Sequence, residues 1–248
     1  MINAEATREL LEYSQCRMTV DQVRQAIKIQ RPSFASFLGA FNIYKQIKWD
    51  KTSIQMACSA ICADLASQKI VEADISFTID KYVDAGLTIR EAIESVASGL
   101  YNASSIHKVK ANPVLAIQYH SPKEFQVEIA SVVHDIGLSN LLYGIDLVGD
   151  EDALVPLFHG QIMAMWNGSW KYTRMHLSEM PWQNRNMGLM FQLPREMWPT
   201  RIAHGIHGRP TDIDIAVANG IVFDLAIHSN LATGSVQKID MHPISDMI

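Results

Sequence analysis

Long apolar runs are missing from this sequence. None of its 248 residues belongs to a stretch approaching the roughly 20 apolar residues of a spanning helix, and residues 1–10 hold no apolar core of signal-peptide length. No membrane partner is expected, and the chain reads as cytoplasmic. Dense clusters of Lys and Arg are missing too. With 21 basic against 26 acidic residues and a formal charge of -5, the chain lacks the concentrated positive charge that a nucleic-acid polymer or an anionic lipid surface requires. Cysteine is scarce and odd in number. Cys58 and Cys62 stand four apart in an apolar segment and Cys16 far away, a pattern that excludes a disulfide framework and points to core packing rather than a paired-cysteine metal site. No linker rich in Pro, Gly or Ser divides the chain, so residues 1–248 read as a single domain.

What is present is a hydrophobic fraction of 48%, enough for a substantial core, arranged in a changing rhythm. Apolar residues recur three and four apart over 5–13 and 19–29, which predicts two opening helices, with Thr19 as an N-cap. Phe34, Phe37, Leu38 and Phe41 place an apolar stripe on one face of a further helix, expected to be core. A helix over 53–69 runs into the first strand, 70–79, where Val71, Ala73, Ile75, Phe77 and Ile79 alternate.

From there helix and strand take turns. The expected helices are 88–101, 122–136, 153–166, 187–197 and 212–218, and the expected strands 113–119, 141–148, 171–176, 201–204 and 221–227. Thr88-Ile-Arg-Glu91 has the form of a capping box. Alternation at this spacing implies parallel strands with right-handed crossovers. The fold class is therefore α/β, an incomplete (β/α)8 TIM-like barrel with about six parallel strands. A partial barrel has two edges to cover, which predicts that the N-terminal helices shield one or that subunits of a homo-oligomer close the gap.

In parallel α/β folds chemistry gathers at the carboxyl ends of the strands. The residues placed there are Asp80, His120, Gly149-Asp150-Glu151, His176 with Glu179, His204 before Gly205, and His228-Ser-Asn230. Each has a plain structural reading as an edge hydrogen bond, a turn or an acidic helix start. His176, Glu179 and His204 together carry a chemical one: a neutral imidazole binds a metal or polarises a nucleophile, and a carboxyl group carries the proton.

These blocks resemble the adenosine and AMP deaminase family of barrel hydrolases, which are metal-dependent. Gly144-Ile-Asp-Leu-Val-Gly-Asp-Glu151 resembles the family's Gly-Asp-Glu strand end, Met175-His-Leu-Ser-Glu179 its His-x-x-Glu block, and Arg201-Ile-Ala-His-Gly205 its Arg-Ile-Gly-His-Gly block. His228-Ser-Asn230, Thr233-Gly-Ser-Val236 and His242-Pro-Ile244 are similar to its later segments. His-Leu-Ser-Glu-Met-Pro looks most like the branch acting on N6-substituted adenine nucleotides. The resemblance implies hydrolytic removal of the 6-amino group of an adenosine- or AMP-like substrate. It makes His176 a zinc ligand, Glu179 the proton donor to the purine ring, His204 the group that orients and activates the attacking water, and Gly149 with Asp150 the substrate-binding strand end. Two family motifs have no counterpart here. The first-strand His-x-His is missing, since no histidine precedes His107, and so is the last-strand Asp-Asp.

Two other readings stay open. One is a catalytically degenerate homologue that binds a purine or regulates. The other is a metal-independent acid-base enzyme using Glu179 and His204 on a nucleoside-like substrate.

Overall fold

A computed structural model describes residues 2–118, 121–136, 141–149, 174–179, 188, 191–192, 194–195, 198–206 and 208–244. The chain divides into two compact units, Met1–Val114 and Leu115–Ile248.

The first unit opens with helices α1 (Ala4–Tyr13) and α2 (Val20–Ala26). Asn3 caps α1 by accepting from the Ala6 amide, and Thr19 forms a reciprocal capping box with Gln22 at the start of α2. Leu10, Leu11 and Val23 bury against Ile43, Ile47 and Ala57 in one apolar cluster. Ala57 belongs to α4 (Lys51–Ser67), which is reached through α3 (Phe34–Gly39) and a 3-10 turn (Ala40–Gln46). Strand β1 (Glu72–Phe77), a short helix α5 (Asp80–Asp84) and the long α6 (Ile89–His107) follow.

Helices α4 and α6 approach closely. Ile54, Cys58, Cys62, Val96 and Leu100 form a second cluster between them, and a Cβ on Gly99 would lie 3.0 Å from the Cys58 Sγ. Burial, followed by the neighbouring Cys62, pushes the Cys58 thiol up to about 12. All three cysteines are free.

Strand β2 (Lys110–Gln118) contains the boundary between the units. Residues 111–117 are buried without alternation, as expected of a parallel strand covered on both faces. In the second unit the Gln126 carboxamide donates to the Gln118 and Ser121 carbonyls, fixing the approach to α7 (Lys123–Ile136). Strands β3 (Gly144–Gly149), β4 (Arg174–Glu179), β5 (Arg201–Ala203) and β6 (Val222–Asp224) pair in parallel. Helix α8 (Pro210–Ala218), with Pro210 in its first turn, and the short α9 (Ile227–Ala232) complete the unit.

Strand order follows chain order, β1-β2-β3-β4-β5-β6. A doubly wound sheet would reverse direction at a switch point. Sequential strands, joined by described helices between β1 and β2, β2 and β3, and β5 and β6, make this an incomplete (β/α)8 barrel. Among the described residues no helix is long and apolar enough to cross a membrane.

The structure corrects several boundaries. Of the strand expected over 171–176, residues 171–173 lie outside the described residues, and the described part, Arg174–Glu179, continues past His176 in register with Gly144–Gly149. Glu179 is thus paired in the ladder. The last strand is short, and His228-Ser-Asn230 lies in α9 rather than at a strand end. The stripe of Phe34, Phe37, Leu38 and Phe41 is not core: α3 buries none of its residues, and Leu38 is 50% exposed. The helix expected over 153–166 and His120 lie outside the described residues, as does most of 187–197.

Candidate functional site

Three of the expected site residues come together through strand register. Gly149 and Glu179 are Cα partners at the carboxyl ends of β3 and β4. Distant in sequence, they become neighbours because a parallel ladder sets adjacent strands about 4.8 Å apart. His176 pairs with Asp146 on one side and with Arg201 on the other. Asp146 is 1% exposed, a buried carboxylate beside the proposed ligand position. Asp150 lies outside the described residues.

His204 follows β5 directly. Its φ of 67° puts it in the left-handed region, and Gly205 follows at φ 69°. A non-glycine residue there costs about 1–2 kcal/mol, and three anchors hold it. The His204 amide donates to the Asp224 carbonyl at 2.8 Å and the Gly205 amide to the Ala203 carbonyl at 2.9 Å. The ring Nδ1 meets the Asn230 Oδ1 at 2.5 Å. Two consecutive left-handed residues thus turn the backbone off the strand while the ring stays buried, at 7% exposure.

The hydrogen bond fixes the chemistry of the ring. An amide oxygen only accepts, so Nδ1 carries the proton and the neutral imidazole keeps its lone pair on Nε2. Burial holds His204 below the ordinary histidine value; the Asn230 bond opposes this, and His242 adds to the lowering. His204 is therefore a neutral base at neutral pH.

Further residues support this corner without a clear signal in their own sequence context. Arg201, the first residue of β5, clamps Asp224 of β6 through two guanidinium nitrogens, with Nε at 2.8 Å from Oδ2. This holds β5, from which His204 departs, to β6. Asp212, 2% exposed, receives both Nε and Nη2 of Arg209 at the start of α8, at 2.8 and 3.0 Å. Asn230, fully buried, bonds His204 with its oxygen and His242 with its nitrogen at 2.9 Å. The sequence signal for Arg201, Asn230 and His242 is their place in the family-like blocks, with Asn230 also at an expected strand end.

Among the described residues no group of three His, Cys, Asp or Glu could hold a metal ion. The described donors therefore do not by themselves make a zinc site.

The family model described as adenosine deaminase matches residues 13–248. The chain belongs to the adenosine deaminase family. Curated relatives of that family are distant in sequence. The adenosine deaminase of Clostridium perfringens is 22% identical over 90% of this chain and 67% of its own length. That of Enterococcus faecalis is 22% identical over 79% of this chain and 57% of its own length. The chain thus spans about two thirds or less of these two adenosine deaminases. An adenine deaminase from Arthrobacter aurescens superimposes with a TM-score of 0.82 at 15% identity, over 99% of this chain and 74% of that one. The N6-mAMP deaminase of Arabidopsis superimposes at 0.72 with 18% identity, over 98% and 72%. An amidohydrolase from Burkholderia ambifaria, with bound Zn, does so at 0.76 with 16% identity, over 99% and 68%. These likenesses show the barrel fold of this adenosine deaminase-family chain.

Proposed function

We propose that the chain is a hydrolytic deaminase of the 6-amino group of a purine nucleoside or nucleotide. The observation that carries this reading is the backbone convergence of Gly149 and Glu179 in register at two strand ends, together with a His204 held in the tautomer that leaves Nε2 free of a proton. In the reaction water adds to C6 of the ring and its proton passes by way of His204 to the 6-amino nitrogen; ammonia, or methylamine from N6-methyl-AMP, leaves and a carbonyl remains. His204 Nε2 accepts the hydrogen bond of the attacking water. Glu179 gives a proton to the ring nitrogen next to C6, so that addition does not build a ring anion. The Gly149 amide and Asp150 hold the purine at the end of β3.

Zinc with His176 as ligand belongs to the same proposal, supported by the family and by the zinc-containing barrel neighbour. Zinc, when bound, acidifies a coordinated water. The described residues supply no complete donor set, so no step is assigned to the metal here. Among the Arabidopsis neighbours two are N6-methyl-AMP deaminases and two others are complexes with GMP and IMP, while the Arthrobacter neighbour is an adenine deaminase, so relatives acting on a nucleotide and on a free base share the fold. We further propose a cytoplasmic homo-oligomer in which 1–248 behaves as one domain, supported by the free cysteines and by exposed Leu38 and Phe41.

The test is zinc content of the purified protein combined with a deamination screen over adenosine, AMP and N6-methyl-AMP. Turnover of one of these, lowered by roughly 100-fold or more in Glu179→Gln and lost with zinc in His176→Ala, is the expected result. Absence of turnover with zinc supplied overturns it. Thermal stabilisation by a purine would then identify a binding homologue, and metal-free turnover lost in Glu179→Gln an acid-base enzyme of another kind.

A further inference from the structure

Behind His204 runs a polar chain that is sealed from solvent. His204, Asn230 and His242 are 7%, 0% and 3% exposed. The His204 Nδ1 lies 2.5 Å from the Asn230 Oδ1, and the Asn230 Nδ2 lies 2.9 Å from the His242 Nε2. The elements that deliver them are distinct: the left-handed turn after β5, helix α9, and the segment following the 3-10 turn Ile239–Met241. Buried polar groups with fixed partners carry information about proton position, because every donor must meet an acceptor.

An asparagine amide has two unlike ends, and both are used here. Its oxygen can only accept and its nitrogen can only donate. If His242 presents an unprotonated Nε2, the amide nitrogen must turn toward it, and the oxygen is then left facing His204. His204 must in turn place its proton on Nδ1. If His242 instead carried its proton on Nε2, the amide would rotate, its nitrogen would face His204, and the proton of that ring would move to Nε2. The base would become a donor.

We infer that His242, acting through Asn230, is a positioning residue that sets the tautomer of His204 and so keeps the His204 Nε2 available as an acceptor. The inference rests on the deaminase reading only for the use to which Nε2 is put. The tautomer itself is a property of the folded chain. Consistent with the assignment, the His242 Nδ1 is the nitrogen left to carry the proton, and it is buried with no hydrogen-bond partner in the described structure. The His242 Nδ1 is unpartnered in either tautomer, so the assignment rests on the orientation of the Asn230 amide between the two rings.

The experiment is nitrogen-15 NMR of the histidine side chains in the full chain. In the wild type His204 is expected as a single Nδ1–H tautomer and His242 likewise as Nδ1–H. In His242→Leu the amide loses the acceptor that orients it, and His204 is expected to populate both tautomers. In His242→Gln a side-chain oxygen can again accept from Asn230, and the single His204 tautomer is expected back. Asn230→Asp offers a second route if the leucine variant does not fold. A carboxylate accepts from both neighbours, so His204 keeps Nδ1–H while His242 is forced to move its proton to Nε2.

For whichever of adenosine, AMP or N6-methyl-AMP is turned over, His242→Leu is expected to lower kcat at least tenfold with little change in KM. A wild-type His204 protonated on Nε2, or a His242→Leu protein that retains the single Nδ1–H tautomer, overturns the inference. Neither outcome depends on activity. A protein with the expected tautomers and no deamination would instead refute the functional reading alone.

Discussion

His204 joins two demands that seldom coincide in one residue. Its backbone is left-handed, a conformation usually left to glycine, and its ring is a buried base. The pairing of His204 with a following glycine is readable in the sequence as a sharp turn at a strand end. The partner on its Nδ1 is not, because residues 204 and 230 are brought together by packing and no spacing rule links them. Titration follows from the burial. Since the folded value is depressed below 6.5, the unfolded chain binds more protons than the folded one as pH falls through that value. Stability from this group is therefore complete above pH 6.5 and is lost as the solution becomes more acidic. Denaturant unfolding between pH 8 and pH 5 should show this slope, and His204→Asn should flatten it. An unchanged slope in the variant would assign the acid sensitivity to other groups.

At the scale of elements, local signals are legible where side chains cap or alternate. The N-cap expected at Thr19 and the capping box expected at Thr88 are both present, and the strands follow chain order. Sequence and structure part where pairing decides. Leu177-Ser-Glu179 falls beyond the strand expected from the sequence, yet the ladder to β3 carries the strand through it. Alternation continues past Asp224 in the sequence, but α9 begins at Ile227. The close approach of α4 and α6 is equally hidden. A methyl group at Gly99 would press on Cys58, with its Cβ at 3.3 Å as well as its sulfur at 3.0 Å. Gly99→Ala should therefore destabilise by about 1–3 kcal/mol despite the better helix propensity of alanine. Thermal unfolding would register this as a fall of roughly 2–4 °C per kcal/mol, and a rise would mean that the helices can separate without penalty.

For the whole molecule the strand count is the governing fact. Six sequential strands are described, with β3 to β6 paired in parallel, where a closed barrel has eight. The first unit also keeps an apolar cavity of about 550 Å³ bordered by Ile75 and Phe77 of β1, by Phe41 and Trp49, and by Ile2 and Asn3 at the N-terminus. The N-terminal helices thus pack on α4, and the residues leading into α1 line a space beside β1. Self-association is the expected remedy for the exposed apolar side chains of α3 and its neighbour Phe41. Light scattering should give a mass above that of one chain, and Leu38→Glu with Phe41→Glu should lower it. A monomer at every concentration would remove the oligomer from the proposal.

The anchoring of His204 also bears on how the protein is made. Its amide waits for the Asp224 carbonyl, its ring for Asn230, and the orientation of Asn230 for His242. Synthesis releases the chain from its N-terminus and folding proceeds in that order. The base is still an unheld side chain on a nascent strand when the residues that orient it have yet to appear. The residue with the most demanding conformation is set only after 38 further residues have emerged, the distance from His204 to His242 in the sequence. A nascent chain halted before His242 would then carry an unset base.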